Sequence, residues 1–321
     1  MIGPVRDFLG HREFHAGLAA GVGLAALGLA IALLASERRR GIVPVGGLLV
    51  AVGFVAGVRR APHLSNRIAL GLLLLAAAGF AAGWLARRRP ALRFVGLALA
   101  APGAIVLATH HGVPPVHADN QAAWIAPLIA LSIVVGGPLV ADFDRRFAPR
   151  GWPMVLYAIS VVGVFFTVPD TERALVLLGV SLPLMFLGWP FAIASLGSAG
   201  SYAAVGVLVW VSATEGRGRH TAIIGGIACL GLLVVEPAAR LLRGGRATVF
   251  EGLSTSRWML LPIATLHLAL VYIASRVAGI RRVLGPAVAI VVIELAIAIV
   301  VLSRPDPPFG TVFDDGDKIE R

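Results

Sequence analysis

VLLGVSLPLMFLGWPFAIASLGSAGSYAAVGVLVWVSA, residues 176–213, contains no charged side chain. As a single helix it would be a rod about 60 Å long at 1.5 Å per residue, twice the roughly 30 Å of a bilayer's hydrocarbon core. The stretch must therefore fold back. Two breaks are available: Pro190 after Gly188 and Trp189, and the small-residue run 195–201. Proline cannot continue the helical ladder and glycine weakens it. Either break leaves two spans, 173–188 and 191–213; one span with a re-entrant segment is the alternative.

The same pattern extends through the chain. Of 321 residues 58% are hydrophobic and 14% charged, and the mean hydropathy is +0.86, whereas soluble domains carry about a quarter charged residues. Apolar runs separated by charge clusters or Gly/Pro turns predict spans near 16–35, 41–58, 68–86, 92–109, 123–141, 152–168, 173–188, 191–213, 221–239, 258–275 and 283–302. The expected fold is all-α: a polytopic transmembrane helix bundle of about eleven spans, or ten, with no soluble domain. Residues 1–302 form the transmembrane domain. The tail 303–321, rich in Pro, Gly and charge, is expected to be disordered. The first run is about 20 residues long, more than the 7 to 15 of a signal-peptide core, and reads as an uncleaved helix.

The net charge of +11 sits in clusters at the ends of apolar runs: ERRR (37–40), RRR (87–89) and DRRFAPR (144–150). That placement sets topology and anchors helices, and it argues against nucleic-acid binding. Asp142, Asp144 and Glu236 fall at the same boundaries and read as anchors paired with neighbouring arginines. The loop 109–122 has no Arg or Lys, while 87–93 carries four and 142–151 three. The positive-inside rule then predicts a cell-membrane protein with an extracytoplasmic N-terminus and a cytoplasmic C-terminus. The lone Cys229 excludes an intramolecular disulfide and a cysteine-based metal framework. GFVAGVRRAP (53–62) resembles GFAAGWLARRRP (79–90), but copies 26 residues apart would run in opposite directions. Their glycines predict close helix packing through small faces.

Two ionisable residues lie deep in apolar runs: His267 in IATLHLALVY and Glu294 in AIVVIELAIAIVV. A charge at the bilayer centre costs about 2.5 to 3.5 kcal/mol on the gentlest scale, so it pairs or lines a wet cavity. Counted from the turn near 279–280, the two sit within about 3 Å of the same depth, so they are expected to meet as antiparallel neighbours. The pair fits either an intramembrane proton or substrate relay or a silent structural clasp. Pro262 and Pro286 on the same spans are able to kink them and open a polar pocket.

THHGVPPVHADN (109–120) gathers His110, His111, His117 and Asp119 between two spans, and VPDTER (168–173) adds Asp170 and Glu172 on the same expected extracytoplasmic side. Three histidines match the ligand number of a catalytic zinc, and a carboxylate would serve as general base. Against a metal, adjacent His110 and His111 point apart and no HExxH spacing occurs. A hydrated interfacial turn accounts for the same residues. Gly-x-Ser-x-Gly, P-loop and Gly-x-Gly-x-x-Gly signatures are missing, so no cofactor is expected.

Three functions fit this pattern. One is a proton-coupled secondary transporter or flippase-like carrier of a small or lipid-linked substrate, with His267 and Glu294 at its centre. The second is a non-catalytic partner or scaffold in a membrane-protein complex. The third is a membrane-embedded, metal-dependent enzyme acting on a lipid-linked substrate through the histidine loop. In each case the lipid bilayer is the surrounding partner.

Overall fold

The computed structural model describes residues 11–36, 42–58, 66–88, 95–109, 125–168, 171–216, 220–245 and 260–278. Most of the described residues are helical and none forms a strand: α1 (Arg12–Ser36), α2 (Gly46–Val58), α3 (Asn66–Arg88), α4 (Val95–Thr109), α5 (Ile125–Phe147), α6 (Trp152–Thr167), α7 (Glu172–Gly188), α8 (Ser198–Glu215), α9 (His220–Ala228), α10 (Leu232–Leu242) and α11 (Leu260–Ala278). Among them three are long and apolar enough to cross a membrane, at Arg12–Leu34, Asn66–Arg88 and Ile125–Arg150. Shorter apolar helices include α2, α4 and α6. Apolar side chains such as Leu34, Leu73, Phe80, Leu131 and Phe166 face outward, as expected where the surrounding medium is hydrocarbon. The predicted eleventh span, 283–302, and the tail lie outside the described residues.

α8 is the axis of the bundle. Every residue from Gly200 to Glu215 on it is buried, and α2, α3, α5 and α9 pack around it, with α4, α6 and α7 making smaller contacts. α1 lies outside this ring against α7 and α2, and α11 lies against α6 and α9. The α1–α7 contact is backbone to backbone. A Cβ added at Gly179 would stand 2.6 Å from Phe14 O and from Leu18 N, and one at Gly21 would stand 2.8 Å from Val180 O. Burial gives helices no hydrophobic drive in lipid, so close van der Waals approach through small residues supplies the attraction. Hydroxyls on these apolar helices bond back to the carbonyl one turn earlier: Ser132 to Leu128, Ser181 to Leu177 and Ser212 to Leu208.

The uncharged stretch does fold back, but the second predicted span starts late. Residues 189–197 are unwound and α8 begins at Ser198. The Trp189–Pro190 peptide is cis, Ala192 has φ +50° and Gly197 φ +73°. Both expected break signals therefore act, Pro190 at the start of the unwound segment and the small-residue run at its end. Backbone without a ladder is tolerated at membrane depth only where protein satisfies it. Here Ser195 N–H donates to Val43 O (3.1 Å), and the first N–H groups of α2 donate back, Gly46 to Ser195 O (2.7 Å) and Gly47 to Leu196 O (3.1 Å).

Two further readings are corrected. Residues 142–147 continue α5 instead of forming a loop, and Asp144 and Arg146 among them find partners inside the protein. The glycines of 53–62 and 79–90 do pack closely, but α2 and α3 touch one another little. Gly53 faces Leu24 and Val180, while Gly79 and Gly83 face Ser198.

Candidate functional site

The predicted span 221–239 is broken. α9 stops at Ala228 and α10 starts at Leu232. The last turn of α9 tightens, with Leu230 N–H donating to Ile227 O (3.0 Å) and Gly231 N–H to Ala228 O (2.9 Å). Gly231 then turns the chain at φ +37°, ψ −117°, a conformation that residues with a Cβ rarely adopt. The break leaves the N–H of Leu232 outside the ladder.

His267, fully buried on α11, fills that break. Its Nδ1 accepts the N–H of Leu232 at 3.4 Å. On the other edge of the ring Nε2 lies 3.1 Å from Leu156 O and 3.0 Å from Ser160 Oγ, and Ser160 Oγ donates to the same carbonyl at 3.0 Å. The carbonyl only accepts, so the partners assign the proton to Nε2 and leave Nδ1 as the acceptor. One imidazole thus joins α11, α6 and the start of α10. Adding a proton at Nδ1 would set N–H against the N–H of Leu232, so the charge of the ring and the geometry of the break are linked.

The second polar cluster surrounds the C-terminal turns of α5. Arg146 forms a two-pronged pair with Glu236 of α10, Nη1 to Oε1 and Nη2 to Oε2 at 2.5 Å each. The Glu236 side chain is only 1% exposed and that of Arg146 12%. Asp142, one turn earlier, lies 3.0 Å from Arg146, and Arg240 lies 4.0 Å from Asp142. Glu236 thus pairs with Arg146 of a distant helix, and it does so in the interior. Asp144 is also buried. Its carboxylate accepts the N–H groups of Leu196 (2.9 Å) and Gly197 (2.8 Å), which holds the unwound segment in front of α8. An ionised acceptor makes these bonds stronger than neutral ones.

Of the residues singled out in the sequence, His267 is at the break and Glu172 is exposed on the first turn of α7; Arg173 beside it pairs with Glu215 at 3.3 Å. Glu294, His110, His111, His117, Asp119 and Asp170 lie outside the described residues, and so does the expected His267–Glu294 pair. Among the described residues no group of three His, Cys, Asp or Glu side chains is disposed to hold a metal. The partners of His267 were not foreseen. Ser160 and Gly231 stand out in the sequence only as a hydroxyl and a glycine within apolar runs, and Leu156 and Leu232 contribute backbone atoms.

No protein-family model matches the chain, and no curated protein matches it. The functional reading therefore rests on the broken helix and its histidine.

Proposed function

We propose that the chain is a multi-pass carrier of the cell membrane, a secondary transporter or flippase-like protein that couples proton movement at His267 to movement of a small or lipid-linked substrate. The observation that carries this reading is the interrupted helix α9/α10 with a buried histidine closing the gap. Discontinuous helices whose half-helix ends face a site near the bilayer midplane are a recurring device of secondary transporters. Protonation of His267 competes with Leu232 for Nδ1, which gives a proton leverage over the break. Glu294, in the next apolar run, is the carboxylate expected to exchange protons with it. With the N-terminus outside, the loops after odd-numbered spans and the C-terminal tail carry 17 of the 28 basic residues. The positive-inside rule supports those loops and the tail as cytoplasmic.

The native Cys229 lies in the break, fully buried, and is the only cysteine, so it reports whether the break opens to water. In proteoliposomes between about pH 5 and 8, a membrane-impermeant maleimide is expected to label Cys229. The extent, normalised to detergent-unfolded protein at the same pH, should change with pH in wild type and stay flat in His267→Phe. A thiol equally protected at every pH in folded wild type refutes the carrier reading and leaves a static structural role.

A further inference from the structure

Four helices meet around a narrow gap beside the end of α5. Phe143 and Phe147 of α5, Trp152 of α6, Leu232 and Glu236 of α10 and Ile263 of α11 line it. Leu232 and Glu236 are one turn apart on α10, about 6 Å of rise, and Ile263 is one turn before His267 on α11. The gap therefore reaches from Leu232, whose N–H His267 accepts, to the Arg146–Glu236 pair. It holds about 200 Å³ of space between atoms and is nowhere wide enough for a water molecule.

Three observations give this gap a task. The indole N–H of Trp152, a fully buried residue, has no hydrogen-bond partner among the described residues, and such orphaned donors are rare because they destabilise the fold. Arg146 also contacts Asp142 at 3.0 Å, so it can release Glu236 without becoming an uncompensated cation. Exposure falls in steps along this line, from Arg240 (32%) and Asp142 (30%) through Arg146 (12%) to Glu236 (1%) and the fully buried His267. Glu236 is thus the described carboxylate between the water-accessible charges and the histidine. The charged groups around it are Arg146 and Asp142 of α5 and Arg240 of α10, with Arg150 over the Trp152 ring. His267 is faced by Ser160 and Leu156 of α6 and by the break, which contains Cys229.

We propose that Glu236 is the carboxylate that passes protons between the α5 end of the bundle and His267, with the Trp152 N–H positioning a water between them. The proposal rests on the carrier reading. Arg146 shifts to Asp142, and a hydronium ion at that end protonates a Glu236 oxygen, leaving water. As α10 moves, one water enters the gap and accepts the Trp152 N–H. The Glu236 O–H bond breaks as its proton joins that water, and a proton leaves the water for Nδ1 of His267. Glu236, a carboxylate again, returns to Arg146, and the imidazolium gives up the N–H of Leu232.

The test is a flash-released pH drop from about 7 to about 4, across the ordinary imidazole and carboxylate ranges, applied to the full chain in proteoliposomes and followed by time-resolved infrared absorption. Bands lost in His267→Phe report its imidazolium, and a carboxylic-acid band lost in Glu236→Gln reports Glu236. In wild type the carboxylic-acid band is expected to rise before the imidazolium bands. Glu236→Gln should slow imidazolium formation at least about tenfold with its final amount retained, and Glu236→Asp should recover most of the rate. Trp152→Phe, which removes only the N–H donor from the aromatic stack on Phe147, should slow it at least about threefold; an unchanged rate there overturns the role of Trp152. A merely structural pair would alter the final amount and not the rate. Size-exclusion and melting profiles matching wild type show that a variant is folded; Arg146→Met/Glu236→Leu, which removes the carboxyl with its cation, serves if Glu236→Gln is not. Imidazolium formation as fast as wild type in a folded variant lacking this carboxyl overturns the relay, and the carrier reading then stands or falls on Cys229 labelling alone. No His267-dependent imidazolium band in wild type overturns both.

Discussion

Arg146 and Glu236 give the most decisive test of how the interior is held. Two unit charges at about 4 Å attract by about 4 kcal/mol at an effective dielectric of 20, and removing one member of a buried pair typically costs about 3 to 5 kcal/mol because the other loses its compensation. Glu236, 1% exposed against 12% for Arg146, has less access to solvent, so Arg146→Met should cost more than Glu236→Leu. Arg146 retains Asp142 at 3.0 Å, which softens the loss of Glu236. The double variant replaces a paired polar contact by apolar groups, a change that is often neutral or stabilising. Equilibrium unfolding in mixed detergent micelles over the four proteins should therefore give a coupling of about 3 kcal/mol, with the double variant more stable than Arg146→Met alone. Single variants each within about 1 kcal/mol of wild type and additive in the double would refute the reasoning, since they would mean that the pair behaves as a solvated surface contact.

Asp144→Asn removes the charge that accepts two backbone N–H groups and leaves one acceptor oxygen plus an amide that also donates. The loss should be about 2 to 4 kcal/mol, from bonds to a charged group worth about 1.5 to 3 each, and hydrogen exchange should rise at Leu196 and Gly197. Gly179→Val places a side chain where the backbone of α1 now lies. It should cost at least about 1 to 3 kcal/mol of overpacking, expose α1 to proteolysis and leave the α5–α10 pair intact; unchanged protection of α1 would refute that contact.

Hydropathy located most helices well because a run of apolar residues has only one way to satisfy its backbone in lipid. α1, α3 and α6 start and stop within a few residues of the predicted spans. The failures share a cause. Residues 142–147 read as an interface because charge was taken to mean water, yet Asp144 and Arg146 find their partners in backbone and carboxylate groups of distant segments. The interruption at Gly231 left no mark because a glycine among leucines and valines keeps the average apolar. The glycines of 53–62 and 79–90 announced close packing but could not name the neighbour, since a small face fits any backbone that reaches it. His267 was legible as a costly residue needing partners. Its described partners are a serine, a carbonyl and an amide, none of which has a sequence signature.

Asp144 and Arg146 are two positions apart on α5, hence about 200° apart around a helix of 3.6 residues per turn. One holds the unwound segment before α8, and the other holds α10 just beyond the break. The end of α5 is thus tied from nearly opposite sides, like a tent pole between two guy lines. A sideways shift that slackens one tether tightens the other. The two interruptions of the bundle, 35 residues apart in sequence from Leu196 to Gly231, are therefore moored to one helix end, and a displacement of that end reaches both.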